Sequence, residues 1–216
     1  MRRVRHGEEV RFANRLYHVM QTDHSAVPLH VGRYAEIFDV SRNDSNFSPE
    51  LRRYRTYNIC QAARWSLAVP GDFLCVGVSF GVTPRTVFEF LDFAATGRTY
   101  HLVDSFNEPA GSVFNNDPDL IRRQYPRDAR VIIHRAAAPE GIPGGPFAFA
   151  HFDIGGGDAE IASAPLVYER LTPGGIVTFD AFSVTSATTR AYSRAFAAMN
   201  VEPFWLPSGQ VMLKKA

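Results

Sequence analysis

Short apolar runs alternate with helix-forming segments from residue 73 to the end of this 216-residue chain, and this alternation limits the possible folds more than any other feature. The expected strands are residues 73–80, 99–106, 129–136, 147–155 and 174–182. The helix-forming segments between these strands are long enough to be the right-handed crossovers that parallel strands need, and such helices cover both faces of a sheet. The sequence therefore predicts an α/β fold, a doubly wound, mostly parallel Rossmann-like sheet. A last pair of strands around Ser208 and Gly209 predicts an antiparallel edge hairpin.

The residues before this alternation predict an N-terminal helical extension. Residues 8–21 place apolar side chains three or four positions apart, as in an amphipathic helix. Residues 22–49 are polar and irregular, which predicts a loop or lid rather than part of the core. Ser48 and Pro49 are typical of a helix start, and the helix that follows should end at Pro70. We therefore divide the chain into an extension, residues 1–49, and one folded domain, residues 50–216.

Composition argues against several classes of partner. The formal net charge is +1, so nucleic acid is not an expected partner. The sequence has no run of about 18 apolar residues that would cross a bilayer, and no apolar stretch follows the basic start as a secretory signal requires. Cys60 and Cys75 match no metal-binding spacing, which is typical of a reduced protein. We expect a cytoplasmic protein with no membrane partner, and its N-terminal helix is compatible with a homodimer.

The ends of the first two predicted strands carry candidate nucleotide-binding residues. In a doubly wound sheet, ligands bind beyond the carboxyl ends of the strands. Gly77, Val78, Ser79 and Gly81 follow the first strand, and glycines there let backbone N–H groups approach a ligand. The alternative is a tight turn without a ligand. Asp104, followed by Ser105, ends the second strand, where a carboxylate accepts hydrogen bonds from ribose hydroxyls or, alternatively, caps a turn or helix.

Two further carboxylates follow the fourth and fifth strands. Asp153 and Asp180 lie at the ends of strands that should be neighbours, so they can bind a hard cation such as Mg²⁺, or one can take a proton from a hydroxyl. The alternative is that each caps the next helix. His134 and His151 lie on strands and are expected to be structural.

Two other groups of side chains are candidates for the acceptor side of the site. His24 and His30 lie in the predicted lid. Tyr54 and Tyr57 recur at helical spacing, which indicates core packing, although either can line an acceptor pocket.

The ordered segments "RRYRTYNICQAARW", "VPGDFLCVGVSFGVTP", "YHLVDSF", "AFAHFDIGGGD", "YERLTPGGIVTFDAF" and "TRAYSRAF" resemble the macrocin O-methyltransferase family over roughly residues 50 to 216. Members are class I methyltransferases that use S-adenosylmethionine and methylate sugar hydroxyls of natural products. The resemblance implies that Gly77 and Gly81 belong to the cofactor loop and that Asp104 binds the adenosine ribose. It also implies that Asp153 and Asp180 bind Mg²⁺, which chelates the acceptor and lowers the pKa of its hydroxyl.

The chain departs from the family pattern at charged positions. Cys75 stands where the family usually has a glutamate shortly before the first glycine of the loop, and Ala181 stands where it has a second aspartate after Asp180. Gly155 and Gly157 replace an aspartate and a tyrosine, and no acid follows the third strand at the position that often holds the adenine amino group. Each lost charged hydrogen bond costs about 1.5–3 kcal/mol of ligand affinity.

The sequence therefore predicts an S-adenosylmethionine-dependent O-methyltransferase of a small, sugar-bearing or polyhydroxylated natural product, with residues 22–57 closing over the acceptor. Three versions stay open. Catalysis proceeds without metal, with Asp153 or a histidine as base; a weaker Mg²⁺ site persists, completed by water; or catalysis is lost and the fold serves as a binding or assembly subunit. A different nucleoside-like ligand is a further alternative.

Overall fold

The computed structural model of the chain describes residues 29, 31–42, 49–107, 117–182 and 185–216. The strands in this part are β1 (Asp72–Val76), β2 (Tyr100–Asp104), β3 (Val131–Arg135), β4 (Phe147–Phe152), β5 (Leu171–Phe179), β6 (Phe204–Trp205) and β7 (Val211–Lys214). They form one sheet in the order β3-β2-β1-β4-β5-β7-β6. β1 to β5 are parallel, whereas β7 is antiparallel to β5 and to β6. The predicted doubly wound sheet with an antiparallel edge hairpin is confirmed.

Helices cover both faces of this sheet. The described α-helices are α1 (Arg33–Arg42), α2 (Pro49–Trp65), α3 (Val82–Phe90), α4 (Pro118–Arg123), α5 (Asp158–Arg170) and α6 (Ser186–Ala198). Two short 3-10 helices, Ser66–Ala68 and Phe93–Thr96, follow α2 and α3. The long helix predicted from Ser48 to Pro70 is thus present as α2 and its 3-10 continuation, although Ser48 itself lies outside the described residues.

The sheet separates two apolar cores. On one face, Phe73 and Phe149 pack with Ile59 and Ala63 of α2 and Val87 of α3. The opposite face holds a second core, formed mainly by Phe152, Phe179, Val167, Tyr192 and Phe196 from the sheet, α5 and α6. β4 is buried along its whole length, so its sequence, which is apolar except for His151, reflects a strand covered on both faces.

Helix α1 corrects the prediction for part of the N-terminal segment. Residues 22–49 were expected to form a loop or lid, but Arg33–Arg42 is a helix whose Tyr34 and Phe38 are 4% and 1% exposed in the first core. Tyr34 donates to the backbone oxygen of Arg53, and the Arg53 guanidinium lies 4.8 Å from the Phe38 ring centroid. The loop prediction is therefore wrong for residues 33–42. Polar side chains interrupt the few apolar positions of this short helix, so its periodicity is not visible in the sequence.

The remaining N-terminal predictions are not tested. The amphipathic helix at residues 8–21 lies outside the described residues, and the boundary at residues 49 and 50 stays a prediction. Within the described part of the chain, no helix is both long enough and apolar enough to cross a membrane.

Two histidines on β2 and β3 give stability a pH dependence. His101 Nδ1 lies 3.0 Å from His134 Nε2, so one ring donates and the other accepts. Burial lowers the pKa of both rings, for His101 against the opposing effect of Asp72 and for His134 with the added effect of His101. The unfolded chain therefore takes up more protons as pH falls below about 6.5.

We expect the free energy of unfolding to decrease as pH falls through this range, because both rings resist protonation in the folded chain. Urea unfolding at pH 7.5 and pH 5.5 measures the loss. His134→Gln retains a hydrogen-bonding side chain and should lose less stability between the two pH values than the original protein. An equal loss in both proteins would contradict this assignment.

Candidate functional site

The carboxyl ends of four neighbouring strands bring most of the sequence-predicted site residues together. Gly77 follows β1, Asp104 ends β2, Asp153 follows β4 and Asp180 follows β5. β1 lies between β2 and β4 in the sheet. The strands that follow β1 in sequence are added first on the β2 side and then on the β4 side, so the strand order reverses beside the end of β1. This is the place where open α/β sheets bind ligands. His134 is not part of this group, because it pairs with His101 on β3 and β2.

The glycine turn, residues 77–81 after β1, lies in close contact with the backbone that follows β4. Gly77 has φ +87° and donates to the Val103 oxygen at 2.9 Å, and Gly81 has φ +80° and donates to Val78 at 2.9 Å. A Cβ atom on Gly77 would lie 2.2 Å from the Asp153 backbone oxygen. Glycine is therefore required at residue 77 both for its backbone conformation and for the contact between β1 and β4.

Asp104 connects this turn to β2. One carboxylate oxygen accepts from the backbone N–H groups of Val78 at 2.8 Å and Ser79 at 3.2 Å, and the other accepts from Phe106 at 3.0 Å. The expected capping of a local turn is thus present in the bond to Phe106. The bonds to the glycine turn were not predicted, and they make Asp104 an organiser of that turn.

A cavity of about 160 Å³ opens beside Asp104. Its walls come from the ends of β1 and β2, the loops after β3 and β4, and the start of α5: Val76, Val103, Asp104, Ser105, Ala136, Ala137, Ala138, Ile154 and Ala159. The side chains that line the cavity are mostly small and apolar, apart from the carboxylate of Asp104 and the hydroxyl of Ser105.

Cys75 lies beneath the turn. Its thiol is fully buried and donates to the Gly77 oxygen at 3.8 Å. Burial raises the pKa of the thiol well above its ordinary value, and the carboxylates of Asp153, Asp104 and Asp180 raise it further. The thiol is therefore neutral. A carboxylate at residue 75 would face the same three negative charges, so the neutral side chain relieves a repulsion.

Asp153 forms an ion pair with α2. Its Oδ2 accepts from Arg52 Nη1 at 3.0 Å, and both side chains are partly exposed, 23% for Asp153 and 30% for Arg52. Burial alone would raise the pKa of the Asp153 carboxyl, but Arg52, with smaller help from His151 and Arg55, lowers it below its ordinary value. The capping alternative for Asp153 is wrong, because Gly157 is the N-cap residue of α5.

Asp180 belongs to a buried polar network. Arg55 Nε donates to Oδ1 at 3.1 Å and Arg55 Nη2 lies 2.5 Å from Oδ2, with the two side chains only 6% and 7% exposed. Gln210 of the edge hairpin donates to Oδ1 at 2.6 Å. Asn58 of α2 donates to Gln210 Oε1 at 3.1 Å. The capping alternative is also wrong here, since Thr185 caps α6.

His151 lies on β4 between Cys75 and Thr178 of the adjoining strands. Its Nδ1 is 2.9 Å from Thr178 Oγ1, and its Nε2 is buried with no hydrogen-bond partner among the described residues. Burial lowers the pKa of this ring, against the effect of Asp180 and Asp153. A neutral ring at 1% exposure fits the expected structural role.

The two tyrosines of α2, Tyr54 and Tyr57, were expected to pack in the core. Tyr57 packs edge-on against Tyr34 with ring centroids 5.1 Å apart, as expected for core packing, and Tyr54 is half-buried. His24 and His30 lie outside the described residues.

Glu160 is a functional candidate that the sequence reasoning missed. Its buried carboxylate accepts from the backbone N–H groups of Ile154 at 2.9 Å and Gly156 at 3.2 Å, and from the Tyr192 hydroxyl. These bonds hold the loop that follows Asp153. Its signal in the sequence was an acidic residue in the first turn of a helix directly after three glycines.

The described residues do not fit a divalent cation at Asp153 and Asp180. Each carboxylate is paired with an arginine, and Ala181 and Gly155 offer no side-chain ligand. Across the described ranges, no group of three or more histidine, cysteine or acidic side chains could hold a metal. Freeing Asp180 for a metal would leave Arg55 buried without its partner, which costs about 3–5 kcal/mol. The Mg²⁺ implied by the resemblance has no support in this geometry.

Known structures share this fold. No family model and no curated protein match the sequence. The O-methyltransferase NovP is similar with a TM-score of 0.66 and 18% identity, over 87% of this chain and 90% of NovP. CalS11, a TDP-rhamnose 3′-O-methyltransferase of calicheamicin biosynthesis, has a TM-score of 0.54 and 16% identity, over 88% of this chain and 99% of CalS11.

A third structure extends the comparison. An O-methyltransferase from Bacillus cereus, solved in complex with SAH, has a TM-score of 0.53 and 13% identity, over 88% of this chain and 94% of that one. Identities this low show the fold alone. The chain therefore has a Rossmann-like fold shared with S-adenosylmethionine-dependent methyltransferases.

The close approach at Gly77 gives a first test of the site. Gly77→Ala should destabilise the protein by at least about 2 kcal/mol and displace the turn, because the added Cβ meets the Asp153 backbone at a positive φ. Gly144→Ala is the control, since Gly144 lies in the exposed loop before β4 and a Cβ there has no neighbour within 4 Å. Chemical unfolding measures both variants. Equal stabilities would show that the turn is not held as described.

Glu160 gives a second test. Glu160→Ala leaves two backbone donors and the Tyr192 hydroxyl without their acceptor, so we expect a loss of about 3 kcal/mol. Glu169→Ala, an exposed change on the same helix, should cost less than about 0.5 kcal/mol. Thermal and urea unfolding compare the two. Equal losses would mean that Glu160 does not organise the loop.

Proposed function

We propose that the protein is an S-adenosylmethionine-dependent O-methyltransferase whose acceptor is a hydroxyl of a small, sugar-bearing or polyhydroxylated natural product. The observation that carries the proposal is the Asp104-bound glycine turn beside a small cavity, with Asp153 on the same edge of the sheet. The O-methyltransferases of similar fold, one of them a TDP-rhamnose 3′-O-methyltransferase, support the reaction class and the acceptor class.

The cofactor side consists of the turn and the cavity. Gly77, Val78, Ser79 and Gly81 shape the turn, and Asp104 with Ser105 provides the polar edge toward a ribose. The apolar loop at Ala136 to Ala138 takes the adenine by contact alone, because no acid is present there. Bound S-adenosylmethionine supplies an electrophilic methyl group on a sulfonium.

The acceptor side lies over Asp153. Its carboxylate takes the proton of the acceptor hydroxyl as the oxygen forms its bond to the methyl carbon. The carbon–sulfur bond breaks with its electron pair going to sulfur, so the products are a methyl ether and S-adenosylhomocysteine. Holding the oxygen and the methyl in line supplies much of the rate enhancement. Helix α2 lies over this edge of the sheet, where Arg52 and Arg55 contact Asp153 and Asp180.

The main alternative is a methyltransferase-fold protein without catalysis, acting as a binding or assembly subunit. The observation that favours it is the loss of charged groups at Cys75, Ala181 and Gly155. The neutral thiol at residue 75 removes a carboxylate that would orient the methionine part of the cofactor. This alternative predicts no binding of S-adenosylmethionine.

Calorimetry with S-adenosylmethionine and S-adenosylhomocysteine separates the two. We expect binding of both by the original protein, and at least about tenfold weaker binding by Asp104→Asn, because an amide nitrogen would face the backbone donors of the turn. Asp128→Asn is the control, since Asp128 is exposed near the surface loop before β3. Absence of binding by the original protein would refute the proposed function.

A further inference from the structure

We propose that the acceptor site works without a divalent cation, and that the Arg52 guanidinium beside Asp153 is a catalytic group that meets the acceptor oxygen. This inference rests on the proposed methyl transfer and adds a residue to it. It assigns different tasks to the two arginines that α2 presents to the carboxyl ends of the strands: Arg55 positions Asp180, and Arg52 faces the acceptor.

The Arg55 and Asp180 pair is closed to ligands. Both side chains are more than nine-tenths buried; Arg55 contacts both carboxylate oxygens, and Gln210 also donates to Oδ1. Arg55 also donates to the backbone oxygen of Asp180. A pair held in this way anchors α2 and leaves no approach for an acceptor.

The Arg52 and Asp153 pair is open by comparison. The same helix places Arg52 one turn earlier, and the side chains of Arg52 and Asp153 retain 30% and 23% of their exposure. Asp153 directly follows β4, and its backbone touches the glycine turn at Gly77. An acceptor that approaches the methyl group from the side of Asp153 therefore meets the guanidinium as well as the carboxylate.

The charges within the two ion pairs already balance. Two carboxylates face two guanidiniums across α2, β4 and β5. A divalent cation added between these two pairs would bring two positive charges that neither pair offsets, in a partly buried site where charges interact strongly. The protein thus carries its own cations at the place where the resemblance implied a metal ion.

The chemistry assigned to Arg52 follows from its permanent charge. As the acceptor hydroxyl passes its proton to Asp153, negative charge develops on the oxygen, and a guanidinium N–H stabilises that charge. The charge is consumed when the oxygen–carbon bond forms and sulfur takes the electron pair of the broken bond. No further reactant is required.

The absence of a metal is tested by Mn²⁺ binding, read by electron paramagnetic resonance in the presence of S-adenosylhomocysteine. We expect no site with a dissociation constant below about 1 mM, a value that corresponds to weak association. A stoichiometric Mn²⁺ site that disappears in Asp153→Asn would overturn the inference, while cofactor binding in the same sample would leave the proposed function intact.

The position of Arg52 is tested without knowledge of the acceptor. S-adenosylmethionine carries a sulfonium charge that S-adenosylhomocysteine lacks, so a cation near the reacting methyl weakens binding of the first relative to the second. Arg52→Gln should shift the ratio of the two dissociation constants toward S-adenosylmethionine by about tenfold at pH 8. Arg52→Lys, which keeps the charge, should retain the original ratio.

Arg64→Gln is the matched control, because Arg64 is exposed near the other end of α2. It should leave the ratio unchanged. A role of Arg52 in packing alone would change both dissociation constants in parallel, whereas loss of its charge beside Asp153 changes their ratio. A ratio in Arg52→Gln within twofold of the original would therefore overturn the assignment. Absence of binding of either ligand by the original protein would instead refute the proposed function.

Discussion

The buried ion pair between Arg55 and Asp180 is the interaction on which the rest of the candidate site depends. It joins α2 to the end of β5, and Gln210 extends the connection to the edge hairpin. A buried charge pair of this kind is costly to desolvate, so it adds little net stability, but breaking it is costly because one buried charge is left without its partner. Its effect here is to fix the register of α2 over the strand ends. That register in turn places Arg52 beside Asp153.

A second constraint comes from the close contact between neighbouring strand ends. The Gly77 turn touches the backbone of Asp153, and Asp104 bonds to the same turn from the opposite side. Asp104 and Asp153 thus flank this turn, and both carboxylates, together with Asp180, add to the effect of burial in raising the pKa of Cys75. The arginines of α2 and the neutral thiol are both responses to this concentration of negative charge. A carboxylate at residue 75 would add negative charge beside this turn. A metal ion at Asp153 and Asp180 would add positive charge, which the two arginines already supply.

Much of the fold was predictable from sequence because strand and helix periodicity persist from β1 to β7. The strand ends that carry Gly77, Asp104, Asp153 and Asp180 followed from the same alternation, and the shared edge followed from parallel pairing. Helix α1 was not predictable, since its apolar positions are few and its burial depends on contacts with residues such as Arg53 that are distant in sequence.

The partners of the carboxylates could not be predicted from the sequence either. Arg52 and Arg55 lie about 100 or more residues before the aspartates that they contact, and no local pattern encodes such a pairing. Glu160 was visible only as an acid near a helix start, although its carboxylate bonds backward to the loop. The sequence pattern predicted which residues would share this edge of the sheet, and tertiary packing determined what each of them contacts.

A crystal structure of the complex with S-adenosylhomocysteine tests the central claim most directly. We expect the adenine against Ala136 to Ala138, the ribose beside Asp104, and the sulfur on the Asp153 side of the glycine turn, with the Arg52 and Arg55 ion pairs retained. S-adenosylhomocysteine bound elsewhere on the protein, or a metal ion between Asp153 and Asp180 with the arginines displaced, would contradict it.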